Sequence, residues 1–192
     1  MNRKWLLPLG IIGGIVLLVV FFFSWANGVY NKAIELQEGV NQKWGDVLTN
    51  YQRRADLVPQ LVGTVKGAAA NERGILTEVT QARAGIVNAK NPEDVEIMGK
   101  KINTAINLAF EAYPQIRSTE NFQALQAQLE GTENRIAVAR RDYNEVVKVY
   151  NTHVRGFFRK MALGIMGGDD EFPRKESFKA AEGADKAPEV KF

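Results

Sequence analysis

The chain has 192 residues, no cysteine, a single histidine and a formal net charge of +3. The missing cysteine excludes disulfides, thiolate nucleophiles, Cys-ligated zinc and lipid attachment through sulfur together. A positive charge so small and so dispersed leaves no footprint for nucleic acid. Helix-forming Ala, Glu, Gln, Lys, Arg and Leu dominate residues 29–155, where Gly and Pro are scarce.

The first element is Leu6 to Trp25, LLPLGIIGGIVLLVVFFFSW, which carries no charge. Twenty helical residues at about 1.5 Å each span about 30 Å, the thickness of a bilayer's hydrocarbon core. Trp5 and Trp25 flank it at the level where indole rings favour the membrane interface, and Pro8 falls in the first turn, where a missing N–H costs little. The run exceeds a signal-peptide core, so an uncleaved anchor is the expectation. A cleaved signal peptide, with Ser24-Trp25-Ala26 near the cut, is the competing reading, and a buried core helix is the bland one. Arg3 and Lys4 precede the run and the next cation is Lys32, which orients everything after residue 26 away from the cytoplasm. Gly10 and Gly14 form a G-x-x-x-G pair that lets two anchors approach, so homo-oligomerisation is expected.

From Tyr30 the apolar positions step by three and four through Ala33, Gln37, Val40, Trp44, Val47 and Tyr51, and the phase continues through Val58, Leu61, Val65, Ile75, Val79, Ala82 and Ile86. Pro59 deletes a helical hydrogen bond, which predicts a turn near residues 53–59 with Asp56 capping a second helix; a kinked continuous helix is the alternative. That second helix should end near Lys90. Asn91-Pro92-Glu93-Asp94 restarts with an N-cap, a proline at the first position and acids facing the dipole. The third helix carries Val95, Met98, Ile102, Ala105, Ile106 and Ala109 and stops at Tyr113-Pro114. Ser118 or Thr119 caps the fourth, whose seam is Phe122, Leu125, Leu129, Thr132, Ile136, Ala139, Tyr143, Val146 and Tyr150. The expected fold is all-α: one transmembrane helix at residues 1–26, an antiparallel four-helix bundle of long helices over 27–166, and a flexible tail over 167–192.

The strings NGVYN, WGDVLTNYQRRADLVPQLVGTVKG, EVTQARA, AYPQIRSTENFQALQAQLEGTENRIAVARRDYNEVVKVYN and the closing KAPEVKF resemble the LemA family over nearly the whole chain, in order and behind the same kind of anchor. The resemblance implies a bacterial membrane protein with a helical bundle. It implies no reaction, because the family has no established biochemical activity.

The residues themselves supply no catalytic constellation. His153 stands beside the fourth seam, Ser24, Ser118 and Ser177 are the only serines, and no metal-ligand or phosphate-loop spacing occurs, so no cofactor is expected. Asp169-Asp170-Glu171 reads as a solvated loop. Arg53-Arg54 and Arg140-Arg141 read as partners in ion pairs more than as an anion site. What stands out are surfaces. Tyr-Asn recurs at Tyr30-Asn31, Tyr143-Asn144 and Tyr150-Asn151, and an antiparallel fourth helix brings the first and last together near the membrane. The simpler use packs the tyrosines in the seam and turns the asparagines outward. Arg155 to Met166 sets Phe157, Phe158, Met161 and Ile165 among cations, which suits either an anionic bilayer or the end of the bundle. Val190-Lys191-Phe192 has the form of a C-terminal peptide ligand for a sheet edge. These features point to a membrane-anchored binding or scaffold protein with the bilayer, further copies of itself or an unidentified envelope protein as partners. A regulatory adaptor for an envelope protease is the alternative.

Overall fold

The computed structural model describes residues 6–63, 69–112, 120–168 and 170–179. The described residues are predominantly helical and contain no strand. The helices are α1 (Leu6–Gly63), α2 (Ala69–Val87), α3 (Pro92–Ala112), α4 (Glu120–Arg155) and α5 (Phe157–Met166). The chain divides into two compact units, Met1–Asn41 with Val146–Lys175, and Gln42–Glu145 with Glu176–Phe192.

In the first unit, the N-terminal part of α1 is long and apolar enough to cross a membrane, with a mean hydropathy of 2.5 over its best window. Its large side chains face outward: Leu17 is 72% exposed and Phe21 73%. A core helix of a soluble domain buries such residues, so the bland alternative falls and a membrane anchor is what this helix suggests. Past the apolar run, Ala26, Val29 and Ala33 are buried, and so are Tyr150, Val154, Ala162 and Leu163 of the same unit.

In the second unit, α2 packs against α3. The buried residues are Ile75, Val79, Ala82 and Ile86 on α2 and Val95, Ile102, Ala105, Ile106 and Ala109 on α3, all expected seam positions. A Cβ on Gly85 would run into the Met98 side chain, so the small residue leaves room for that side chain between the two helices. The α3 start follows the sequence. The Asp94 N–H donates to Asn91 Oδ1 at 2.9 Å and the Lys90 N–H to Asp94 Oδ2 at 3.1 Å, a reciprocal cap with Pro92 at the first position.

The turn expected at residues 53–59 is absent. Pro59 lies inside α1, which continues to Gly63. The lost hydrogen bond and ring clash cost about 3 kcal/mol. Against this, Leu57, Val58, Leu61 and Val62 are buried on the same stretch, and burial at about 1.5–3 kcal/mol each outweighs the proline. The second helix accordingly begins at Ala69 and not at Asp56, and it ends at Val87, a turn short of Lys90. The fourth seam also slips once: Val147 is 1% exposed, while Val146 is only half-buried. The expected capping residues Ser118 and Thr119 lie outside the described residues, as do Tyr113 and Pro114.

The seam break at Arg54 has a structural cause. Its guanidinium donates to Asn103 Oδ1 at 3.1 Å and to the Leu129 carbonyl at 3.0 Å, and it pairs with Glu133 at 2.7 Å. One long side chain thereby ties α1 to α3 and α4. The Leu129 carbonyl accepts a second hydrogen bond from buried Thr132, using both its lone pairs.

Candidate functional site: side-chain clamps on an extended segment

Residues 170–179 depart from the expectation of a loose tail. They form neither helix nor sheet, so their backbone groups need partners from elsewhere. Asparagine and tyrosine side chains of α4 supply them.

In the first unit, Asn151 grips Lys175 by both main-chain groups. Its Nδ2 donates to the Lys175 carbonyl at 2.8 Å, and its Oδ1 accepts from the Lys175 N–H at 3.0 Å. Next to it, the Tyr150 hydroxyl donates to the Pro173 carbonyl at 2.9 Å. In the second unit the arrangement recurs. Asn144 donates to the Phe178 carbonyl at 2.9 Å and accepts from its N–H at 2.8 Å, while the Tyr143 hydroxyl donates to the Glu176 carbonyl at 3.1 Å. A carboxamide offers one donor and one acceptor side by side, which is what a strand edge offers an extended neighbour. Each of these two α4 pairs therefore puts a buried ring in the helix seam and one rung of a main-chain ladder beside it.

The second unit adds an aromatic socket. The Phe178 ring stacks on Trp44 with centroids 6.1 Å apart and meets Tyr143 edge-on at 5.5 Å. The Arg140 guanidinium lies 4.7 Å over the same ring. Arg140 also donates to the Lys179 carbonyl and pairs with Glu96. Burial, and secondarily the negative charge of Glu176, push the Tyr143 hydroxyl up to about 12. Burial alone raises Tyr150.

Tyr30 and Tyr150 do fall in one unit, although their use differs from the expectation. Tyr30 donates to Glu171 Oε1 at 2.6 Å and meets Phe172 edge-on at 5.5 Å. That hydrogen bond, with some burial and the Glu171 charge, raises its pKa. Asn31 is exposed and takes no part in these bonds. The asparagines of the other two pairs hold the extended segment and do not simply face water. His153 donates through Nε2 to the Val29 carbonyl at 3.0 Å, a tether between α4 and α1. Arg54 and Arg140 are both committed to ion pairs across helices. Phe157 and Phe158 stand exposed at the start of α5, 78% and 66% respectively. Gly10 and Gly14 have open space around them, and Trp25 is part-exposed beside Phe22. Trp5, Val190 and Phe192 lie outside the described residues.

A cleft of about 580 Å³ opens in the second unit between Tyr51, Arg54, Glu96, Gly99, Lys100 and Arg140. Two ion pairs cross its lining, Arg140 with Glu96 and Arg54 with Glu133. Among the described residues no three His, Cys, Asp or Glu side chains converge as metal ligands.

The LemA family model matches residues 43–192, the helical body beyond the apolar run. A curated relative, Protein LemA of Metamycoplasma hominis, is 20% identical over 148 residues, which is 75% of this chain and 67% of that protein. With a family match over well more than half its length, behind an apolar helix of its own, the chain belongs to the LemA family.

Proposed function

We propose that this chain is a membrane-anchored helical binding and scaffold protein of the bacterial envelope, acting through surfaces and not through a reaction. The observation that supports it most is the use of the polar side chains on α4. Asn144, Asn151, Tyr143 and Tyr150 all engage main-chain groups of an extended segment, which is the chemistry of holding polypeptide. The apolar run of α1 supports a location at a bilayer, and the Arg3/Lys4 asymmetry supports an orientation away from the cytoplasm. Open space at Gly10 and Gly14 supports self-association of the anchors.

The test is recovery of the full chain from detergent extract after crosslinking in intact cells. A self-associated species that Gly10→Ile/Gly14→Ile weakens is the expected result. Co-purification of a protease in its place would favour the adaptor role. A monomer recovered without any protein partner would refute the binding function.

A further inference from the structure

We propose that α5 is an interfacial helix, its Phe157–Phe158–Met161–Ile165 face set into the headgroup boundary of a bilayer carrying anionic lipid. The proposal rests on the reading of the N-terminal part of α1 as a membrane anchor.

Three observations within the first unit carry it. The first is exposure. Phe157, Phe158, Met161 and Ile165 are 78%, 66%, 47% and 55% exposed on a helix of ten residues. At 3.6 residues per turn these four fall within an arc of about 100°. Ala162 and Leu163, on the other side, are buried. The helix is therefore docked by one face and presents bulky apolar groups on the other.

The second is level. Just before α5, His153 is bonded to the carbonyl of Val29. Just after it, Gly167 lies so close to the Tyr30 ring that a Cβ there would clash. The chain thus leaves and rejoins α1 at one height, residues 29 and 30. These stand four and five residues beyond Trp25, or about 6–8 Å along the helix from the end of the apolar run. That is the depth of the headgroup layer, where amphipathic helices lie.

The third is charge. Arg155 is exposed just before the helix, and Lys160 is exposed on the flank of the apolar arc, about 60° from Phe157. Cations beside buried-depth aromatics match anionic headgroups above acyl chains. A docked protein would need the same apolar face, but it would not account for the height at which α5 is held.

The chain has no cysteine, so single substitutions label uniquely. Full-length Val16→Cys, Ile34→Cys, Phe158→Cys and Ile165→Cys variants, each with a nitroxide, are reconstituted into phosphatidylcholine vesicles with and without phosphatidylglycerol. Collision with oxygen is compared with collision with a water-soluble nickel chelate. Labels at 158 and 165 are expected to favour oxygen about threefold or more over the aqueous control at 34, less so without the anionic lipid. Equal values at 34, 158 and 165, with 16 deep in the acyl layer, overturn the proposal and leave the anchor standing. An aqueous label at 16 overturns both. Labels at 158 and 165 shielded from both quenchers mean a protein covers the face, which also overturns it. Unchanged depth without phosphatidylglycerol removes the anionic preference.

Discussion

Replacing Asn151 by alanine removes two hydrogen bonds at once, those to the N–H and carbonyl of Lys175 at 3.0 and 2.8 Å. The side chain is half-buried and both partners are neutral. Each bond then contributes about 0.5–1.5 kcal/mol net, or about 2 kcal/mol for the pair. The loss falls on local release of the extended segment and not on global unfolding, because the buried seam residues on either side, Tyr150 and Val154, are untouched. A difference of about 2 kcal/mol multiplies the released population by about 30. Trypsin reports it directly: cleavage after Lys175 requires an extended, free backbone, and at low protease its rate follows the released fraction. Asn151→Ala is expected to be cut at that bond about 30 times faster than the parent, with the site verified by fragment mass. A rate within about threefold of the parent would show that the carboxamide does not hold the segment, and the clamp would have to be abandoned.

Two further outcomes follow from geometry. Tyr143 has a folded pKa of about 12, against about 10 when unfolded. Its stabilising contribution is therefore complete below pH 10 and is lost as pH rises from 10 to 12, up to about 2–3 kcal/mol. Urea unfolding across that window should fall less steeply for Tyr143→Phe than for the parent, and parallel curves would contradict the burial. Gly99→Ala puts a Cβ 2.6 Å from Tyr51 Cε1, whereas Gly131→Ala in α4 meets nothing within 4 Å. The first should lower the thermal midpoint, an overpacking cost of about 1–3 kcal/mol exceeding the roughly 1 kcal/mol of helix propensity gained; the second should raise it.

Most of the helical core was legible because it depends on local periodicity. Ala33, Val40, Val47, Tyr51, Leu125, Leu129, Thr132, Ile136, Ala139, Tyr143 and Tyr150 were expected in seams and are buried. Asn91-Pro92 was legible because a cap is a contract between neighbours. Pro59 misled because its local penalty was visible, whereas the compensating burial of Leu57, Val58, Leu61 and Val62 is a tertiary property that local sequence does not display. The clamps were missed for a related reason. The composition after Gly167 describes a segment that cannot bury a core of its own, and residues 173–178 are held by side chains more than twenty residues earlier. The recurring Tyr-Asn pair was the one signal available. It showed where the helix was unusual without showing that the amides had main chain to meet.

The clamps also decide which substitutions the extended segment tolerates. They address backbone atoms, so the Lys175 side chain is free to drift in any direction except to proline, whose missing N–H would leave Asn151 Oδ1 without its donor. Proline stands instead at 173, where only the carbonyl is engaged. The second unit is stricter, since Phe178 is held by its ring as well as by its backbone. A descendant of this chain can therefore rewrite the letters around position 175 and keep the same path. Selection would be felt through Asn151 and Tyr150, on a helix whose own sequence gives no hint of which segment it holds.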